Sequence, residues 1–302
     1  GGQVNLVAVV ETLFAGQPID QANGSVRQKG FGLDPETVIV IRAENLSQVL
    51  LPNGRWFSNV TASLSLQNDG IEHMRFRGQP PPLHRGRAPD AGYLTASIEP
   101  VQGGYNFALT ADDAGSAFYA IGLLDSVRLG TVRIEAYSPL AFPHGAWRGS
   151  LNAENLILQN APILGRLFQV ASLTGIGELL SGTGLSFSRV NSDFNYSPGS
   201  IYVDSWQMLG PSIGMTGQGG IDFDSKFLNL RGTVTPLGAL NEITQQLPVL
   251  GTFLNGLDGG GLFSATYVIE GRFEDPNMFV NPWTSLTPGA FRDFYRAVTG
   301  SF

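Results

Sequence analysis

Few residues in this 302-residue chain have types and spacings that could do chemistry. Gly210-Pro211-Ser212-Ile213-Gly214 matches the G-x-S-x-G spacing of a nucleophile elbow, where a strand-to-helix turn lifts a Ser hydroxyl toward an activating His. A plausible strand, 201–209, precedes it. The rest of the context is missing, because Met215-Thr-Gly-Gln-Gly-Gly220 follows where a helix should open. The triad order also needs a His after the Ser, and His73, His84 and His144 all precede it. The spacing reads as a Gly-rich hairpin or bulge. Two carboxylates facing each other across a cleft would support glycoside hydrolysis, with Asp112, Asp113, Asp125, Asp222, Asp224 and Asp275 as candidates. Asp112-Asp113 reads more simply as an Asx turn or N-cap for a helix from Ser116 to Leu123, and Asp275-Pro276-Asn277 as a turn. There is no Cys, and no His pair, calcium loop or phosphate-binding Gly-Lys-Ser/Thr appears. No catalytic residue, metal ligand or cofactor site is therefore assigned, and the expectation is a protein that is not an enzyme.

The elements that would have to position any site are mostly strands. Apolar residues make up 42% of the chain and charged ones only 14%, against about 25% in an average soluble domain. The polar surface must then be largely Ser, Thr, Asn, Gln and backbone. A net charge of −7 with scattered Arg speaks against nucleic acid, which needs a basic face. No run reaches the ~20 mostly apolar residues of a transmembrane helix. The chain opens Gly1-Gly2-Gln3, without Met or a basic leader, so the expectation is a segment of something longer whose anchor lies upstream.

Period-two alternation dominates. Val60, Ala62, Leu64 and Leu66 alternate with Thr61, Ser63, Ser65 and Gln67. The same pattern gives Leu94, Ala96 and Ile98; Tyr105, Phe107 and Leu109; Leu228, Leu230 and Val234; and Phe263, Ala265, Tyr267 and Ile269. These predict antiparallel strands with one apolar face. Turns are predicted at Asn68-Asp69-Gly70, Gly103-Gly104, Pro198-Gly199 and Asp258-Gly259-Gly260-Gly261, and an irregular loop over 79–92. Val38 to Ile41, apolar at every position, predicts a more central strand.

Helical spacing is local. Residues 162–181 begin with Pro162 in the N1 manner and carry Ile163, Leu164, Leu167, Phe168, Leu179 and Leu180 on one stripe. A second segment spans 237–255, with Leu250, Phe253 and Leu254, and a third 290–298. Pro162-Ile-Leu-Gly-Arg-Leu-Phe168 is echoed by Pro248-Val-Leu-Gly-Thr-Phe-Leu254, which suggests one device used twice. The expected fold is mainly β: an extended, curved antiparallel sheet forming a groove or open sandwich with a hydrophobic inner face, plus two or three short amphipathic helices. The division expected is a variable β-rich part, 1–104, and a second part, 105–302, as one continuous structural unit. Composition favours a closed sandwich core over a trough, since large exposed apolar patches are uncommon.

Many short motifs in a fixed order then carry a resemblance. Asp112-Asp113-Ala-Gly-Ser-Ala-Phe-Tyr-Ala-Ile-Gly122, Gly149-Ser-Leu-Asn-Ala-Glu-Asn-Leu156 and Asn160-Ala-Pro-Ile-Leu-Gly-Arg-Leu167 open the series. Ser172-Leu-Thr-Gly-Ile-Gly177, Gly182-Thr-Gly-Leu-Ser-Phe187, Gly210-Pro-Ser-Ile-Gly-Met-Thr216 and Gly232-Thr-Val-Thr-Pro236 continue it, and Leu247-Pro-Val-Leu-Gly251, Val280-Asn-Pro282 and Leu286-Thr-Pro-Gly-Ala-Phe-Arg292 end it. Over about residues 105–296 the chain resembles the C-terminal region of AsmA-like proteins of the Gram-negative envelope. The resemblance implies a periplasmic protein, tethered to the inner membrane by an upstream helix, that carries phospholipid or another acyl-chain lipid along a hydrophobic β-groove. On that reading the apolar strand positions are groove lining: Val60, Ala62, Leu64, Leu66, Leu94, Ile98, Tyr105, Phe107, Leu109, Leu228, Leu230, Val234, Phe263, Tyr267 and Ile269. The helical stripes, Ile163, Leu164, Leu167, Phe168, Leu179, Leu180, Leu250, Phe253 and Leu254, would cap the trough or face a membrane. Capping is favoured because Arg166 is the only basic residue of the first helix. Burying a chain of 16 to 18 carbons is worth roughly 13 to 14 kcal/mol at ~0.8 kcal/mol per CH2. The alternative reading is a structural or assembly protein whose apolar strips bind other proteins of a membrane complex.

Overall fold

The computed structural model describes residues 4–5, 36–83, 92–170, 182–236 and 263–285. The expected helices at 237–255 and 290–298, residues 171–181 of the first helical segment, His84 and the turn at 258–261 lie outside the described residues.

The fold is mainly β, with two short helices among the described residues. A two-residue strand, β1 (Val4–Asn5), is followed by β2 (Ile39–Leu50), β3 (Trp56–Gln67), β4 (Gly70–Gln79), β5 (Leu94–Val101) and β6 (Gly104–Ala111). Helix α1 (Ala114–Ile121) leads to β7 (Val127–Arg128), β8 (Thr131–Ser138) and β9 (Trp147–Leu158), and α2 (Pro162–Val170) to β10 (Leu185–Ser197). Strands β11 (Ser200–Leu209), β12 (Ile213–Asp222), β13 (Phe227–Pro236), β14 (Phe263–Arg272) and β15 (Asn277–Ser285) complete the order. Hydrogen-bonded neighbours follow chain order in one sheet that does not close, with β7 beside β9 off the path and β1 the one parallel member. The choice between two facing sheets and one open sheet thus falls to the open sheet.

Two compact units divide the chain, one of residues 1–156 with 193–201, the other of 157–192 with 202–302. The boundary expected at 104/105 falls in the β5–β6 hairpin, where Val101 pairs with Gly104 inside the first unit.

In the first unit the hairpins form where the turn chemistry demands. Asn68 and Asp69 both take left-handed φ, 51° and 57°, as a two-residue turn that continues the right-handed strand twist requires. Strand β2 is not central: its partners are β3 and, over two residues, β1, and Val40 is 57% exposed. Continuous apolar sequence marks a buried strand only where both faces are covered.

Helix α1 starts where the sequence predicts a cap. The Asp113 carboxylate accepts hydrogen bonds from the Ser116 backbone N–H and hydroxyl, both at 3.0 Å. Two further N-terminal amides find carbonyls outside the helix, Ala114 N–H on Gly130 at 2.7 Å and Gly115 N–H on Leu129 at 3.1 Å. The helix ends at Gly122, whose φ of 77° suits a residue without a Cβ. The β2–β3 turn then clamps the C-terminus. Asn53 Nδ2 donates to the Ala120 carbonyl at 2.9 Å, and Arg55 donates to the Tyr119 carbonyl while its guanidinium lies 3.8 Å from the Tyr119 ring centre. Arg55 is held in turn by Asp125, at 3.0 Å.

In the second unit the strand interior is built around missing side chains. A Cβ on Gly217 would stand 2.5 Å from the Trp206 ring, and one on Gly232 would stand 2.6 Å from the Tyr267 hydroxyl. Two aromatic side chains from β11 and β14 thus lie over the glycines of β12 and β13, their centroids 6.4 Å apart. Glycine costs strand stability by itself, and the overlying rings restore the lost contact area.

Candidate functional site

The apolar face of the first unit carries the largest share of the predicted lining. Cross-strand register aligns it into two unbroken rows. One runs Ala43, Ala62, Phe76, Ala96, Leu109, Ile134, Leu151 from β2 to β9; its neighbour runs Ile41, Leu64, Met74, Ile98, Phe107, Ala136, Gly149. Seven strands at ~4.8 Å spacing make a strip about 29 Å long and two residues wide. Ala96 and Ile98 are buried, while the other members of both rows are half-buried.

At the strand ends on either side of the strip the packing is complete. Beside α1, Val60, Leu94, Ala111, Val132 and Ala153 are all buried, as are Ala117 and Phe118 of the helix. At the opposite strand ends, Leu66, Ile71 and Trp147 form one cluster with Ile98 of the second row, and Leu64, Met74, Phe107 and Ala136 of that row pack against it together with Ile39, Tyr105, Phe142 and Tyr196. Here the loop 139–146, which contains the cis Phe142–Pro143 peptide, crosses the β3–β4 turn: Ile71 N–H donates to the Phe142 carbonyl at 2.7 Å, and His144 Nε2 is 2.6 Å from the Asp69 carbonyl. The Tyr105 hydroxyl donates to Glu72 at 2.8 Å, and burial, reinforced by that carboxylate, pushes the phenol above its ordinary range. Trp147 Nε1 is buried without a hydrogen-bond partner.

The structure brings Val60, Ala62, Leu64, Leu66, Leu94, Ile98, Tyr105, Phe107 and Leu109 onto this one face. Sequence reasoning missed Met74, Phe76, Ile134 and Leu151, although Met74 and Phe76 alternate with His73, Arg75 and Arg77 in the same period-two manner. In the second unit, Leu228, Val234, Tyr267 and Ile269 are buried and Leu230 half-buried; they share a face with Met215, itself buried. Phe263 opens β14. Burial raises the Tyr267 phenol well above its ordinary range, and its hydroxyl donates to the Thr216 carbonyl at 3.0 Å.

Leu167 and Phe168 on α2 are fully buried, whereas Ile163 and Leu164 are half-buried. The helix contacts β15, and Arg166 pairs with Asp275 at 2.9 Å. Leu179, Leu180, Leu250, Phe253 and Leu254 lie outside the described residues.

Most of the reactive-looking residues are engaged in turns, caps and ion pairs. Ser212 sits in the β11–β12 hairpin turn, closed by Gly210 N–H on the Ile213 carbonyl at 2.9 Å, and no helix follows. Asp112 accepts from Tyr93 N–H, Asp222 from Ser225 N–H, and Asp125 and Asp275 pair with Arg55 and Arg166. The Ser225 backbone hydrogen bond holds the Asp222 carboxyl below its ordinary range. No group of three metal-ligating side chains occurs among the described residues, and no described helix is long and apolar enough to cross a membrane.

Compared with protein-family profiles, curated proteins and solved structures, the chain matches none of them.

Proposed function

We propose that this chain is the C-terminal part of a bridge-like protein of the Gram-negative envelope, periplasmic and tethered to the inner membrane, that carries phospholipid along its apolar strand face by a passive, non-catalytic route. One observation carries the reading: two unbroken apolar rows, half-buried along most of their length, run across seven strands of the first unit. A bilayer's hydrocarbon core is ~30 Å thick, so each leaflet's acyl chains reach about 15 Å. A strip of about 29 Å outruns one chain, which can then slide from strand to strand against near-uniform contacts. Nothing along the rows would fix it at one point. Sealed strand ends would confine the chain to the direction across the strands.

The test is detergent-free purification of the full chain from a Gram-negative host, with mass spectrometry of its organic extract. Phospholipid at a defined ratio to protein is the expected result. A folded chain that yields no acyl lipid, and that takes none up from donor vesicles, would sink the reading. One feature favours the structural alternative: Val268 and Phe279 form a cross-strand pair on the other face of the second unit, with Phe279 65% exposed. A stoichiometric protein partner lost on Phe279→Ser, in a chain devoid of lipid, would support it.

A further inference from the structure

The face of the first unit opposite the apolar rows holds a cavity of about 620 Å³ across β2 to β5. Its lining follows from register. Arg42, Ser63, Arg75 and Ser97 stand in one cross-strand row, and Thr61, Arg77 and Thr95 in the next. Three guanidinium groups therefore share one concavity in a chain of net charge −7. Arg42 on β2 and Arg77 on β4 stand two strands and one row apart, about 12 Å between their backbones.

The two carboxylates in the cavity offset this set only in part, three guanidinium groups against two acids. Glu99 is spent twice, accepting from Arg75 Nε at 2.6 Å and meeting His73 Nδ1 at 2.8 Å. Glu44 is the other acid of the lining. Arg77 is held over the Tyr93 ring, 3.8 Å from its centre, which fixes its plane and leaves its N–H edge for a ligand. Among the described residues neither Arg42 nor Arg77 forms a salt bridge. Between them stand hydroxyls, neutral donors that add hydrogen bonds without charge repulsion. Planar, paired N–H donors with flanking hydroxyls suit a tetrahedral oxyanion.

We propose that this cavity binds a phosphate-type oxyanion, held by Arg42 and Arg77 with Ser63 and Thr61 completing the donor set. The apolar rows lie on the opposite face, so this site is independent of acyl-chain carriage. Phosphate could arrive free or as a lipid headgroup. The test titrates the full chain with inorganic phosphate by NMR, then measures co-sedimentation with vesicles of phosphatidylcholine alone or with one-third phosphatidic acid. Arg42→Gln and Arg77→Gln are compared with Arg133→Gln, an exposed arginine already paired with Glu135. The expected result is saturable phosphate binding, weakened at least tenfold by either cavity substitution and less than twofold by Arg133→Gln. Binding to phosphatidic acid vesicles with the same variant pattern, but not to free phosphate, would identify the headgroup as the source. Absence of both, or equal weakening by all three substitutions, would overturn the site.

Discussion

Replacing Leu109 with Asp places a charge in the middle of the apolar strip, between Ala96 on β5 and Ile134 on β8. An extended acyl chain running along the rows crosses one strand every ~4.8 Å, which sets about four methylenes against each strand. At ~0.8 kcal/mol per buried CH2, denying that contact costs about 3 kcal/mol, and with ~1.4 kcal/mol per factor of ten the Kd should rise about a hundredfold. The neighbouring Thr110 points to the other face, where it pairs with Arg133. Thr110→Asp therefore adds the same charge one residue away, beside a cation and away from the strip. Titration with a fluorescent C16 fatty acid, without detergent, reads both variants, and Leu109→Met, which keeps volume and polarity, should bind as the parent does. Leu109 is half-buried, so Leu109→Asp also costs about 1–3 kcal/mol of stability, and a thermal melt must show the variant folded at the assay temperature. A folded Leu109→Asp protein with unchanged affinity would refute the lining role. So would an equal loss in Thr110→Asp, which would mean that general charge and not the strip governs binding.

Four further outcomes test the packing. Gly232→Ala puts a Cβ 1.9 Å from the Thr216 carbonyl oxygen and should destabilise by about 2–4 kcal/mol in urea unfolding, whereas Gly220→Ala, whose nearest contact is 3.7 Å, should be neutral or slightly stabilising. Phe168→Ala, at a fully buried position of α2, should cost about 3–5 kcal/mol; an unchanged unfolding midpoint would mean that this side of the helix is not packed. Asn53→Ala removes a hydrogen bond to the Ala120 carbonyl and should cost about 1 kcal/mol, with faster amide exchange confined to α1 and its neighbours. Tyr267 titrates well above its ordinary value of 10.0 when folded, so above that pH the unfolded chain holds fewer protons than the folded one and stability falls as pH rises. The contribution of this residue is about 1.4 kcal/mol per pH unit, and Tyr267→Phe should flatten the alkaline limb of the stability curve by that amount.

Legibility followed the reach of the physics involved. Where one face meets solvent and the other is covered, alternation marks the strand, and β3, β5, β6, β13 and β14 follow from it directly. The Asp113 cap was equally legible, because capping is settled within three residues. Strand β12 was not, since Gly214, Gly217, Gly219 and Gly220 erase the period, and their reason lies in Trp206 and Tyr267, which are remote in sequence. The clamp on α1 was illegible for the same reason: Arg55 and Asp125 are 70 residues apart, and no local preference pairs them. Val38 to Ile41 misled because hydrophobicity without period says how apolar a strand is, not how many faces are covered. At the site, the lining residues were readable one strand at a time, whereas the two continuous rows depend on register, which bulges at Ala43/Leu46 and Ser65/Leu66 shift.

The two units show how the same strand chemistry yields different interiors. Both have apolar faces made by alternation, yet the second is filled: Met215, Val234, Tyr267 and Ile269 are buried, and two rings occupy the space above Gly217 and Gly232. In the first unit the small positions of the rows are Ala43, Ala62, Ala96, Ala136 and Gly149, set among larger side chains, and a ring lies over the last of them, where a Cβ would stand 2.8 Å from Phe194. Phe76 makes its ring contact with Phe57, toward the α1 end, and Phe107 with Trp147, at the opposite end, so the aromatic mass of this face is drawn to its margins. Aromatic pairs at both margins thus flank a strip whose other members are aliphatic. That distribution predicts an asymmetry under substitution. Ala62→Phe would fill the strip of the first unit at a cost of about 1–3 kcal/mol by overpacking, less if the ring lies along the rows as a lipid chain would. If the rows carry acyl chains, the same substitution should abolish fatty-acid uptake while the protein still unfolds cooperatively. Retained uptake in a folded Ala62→Phe protein would place the lipid elsewhere.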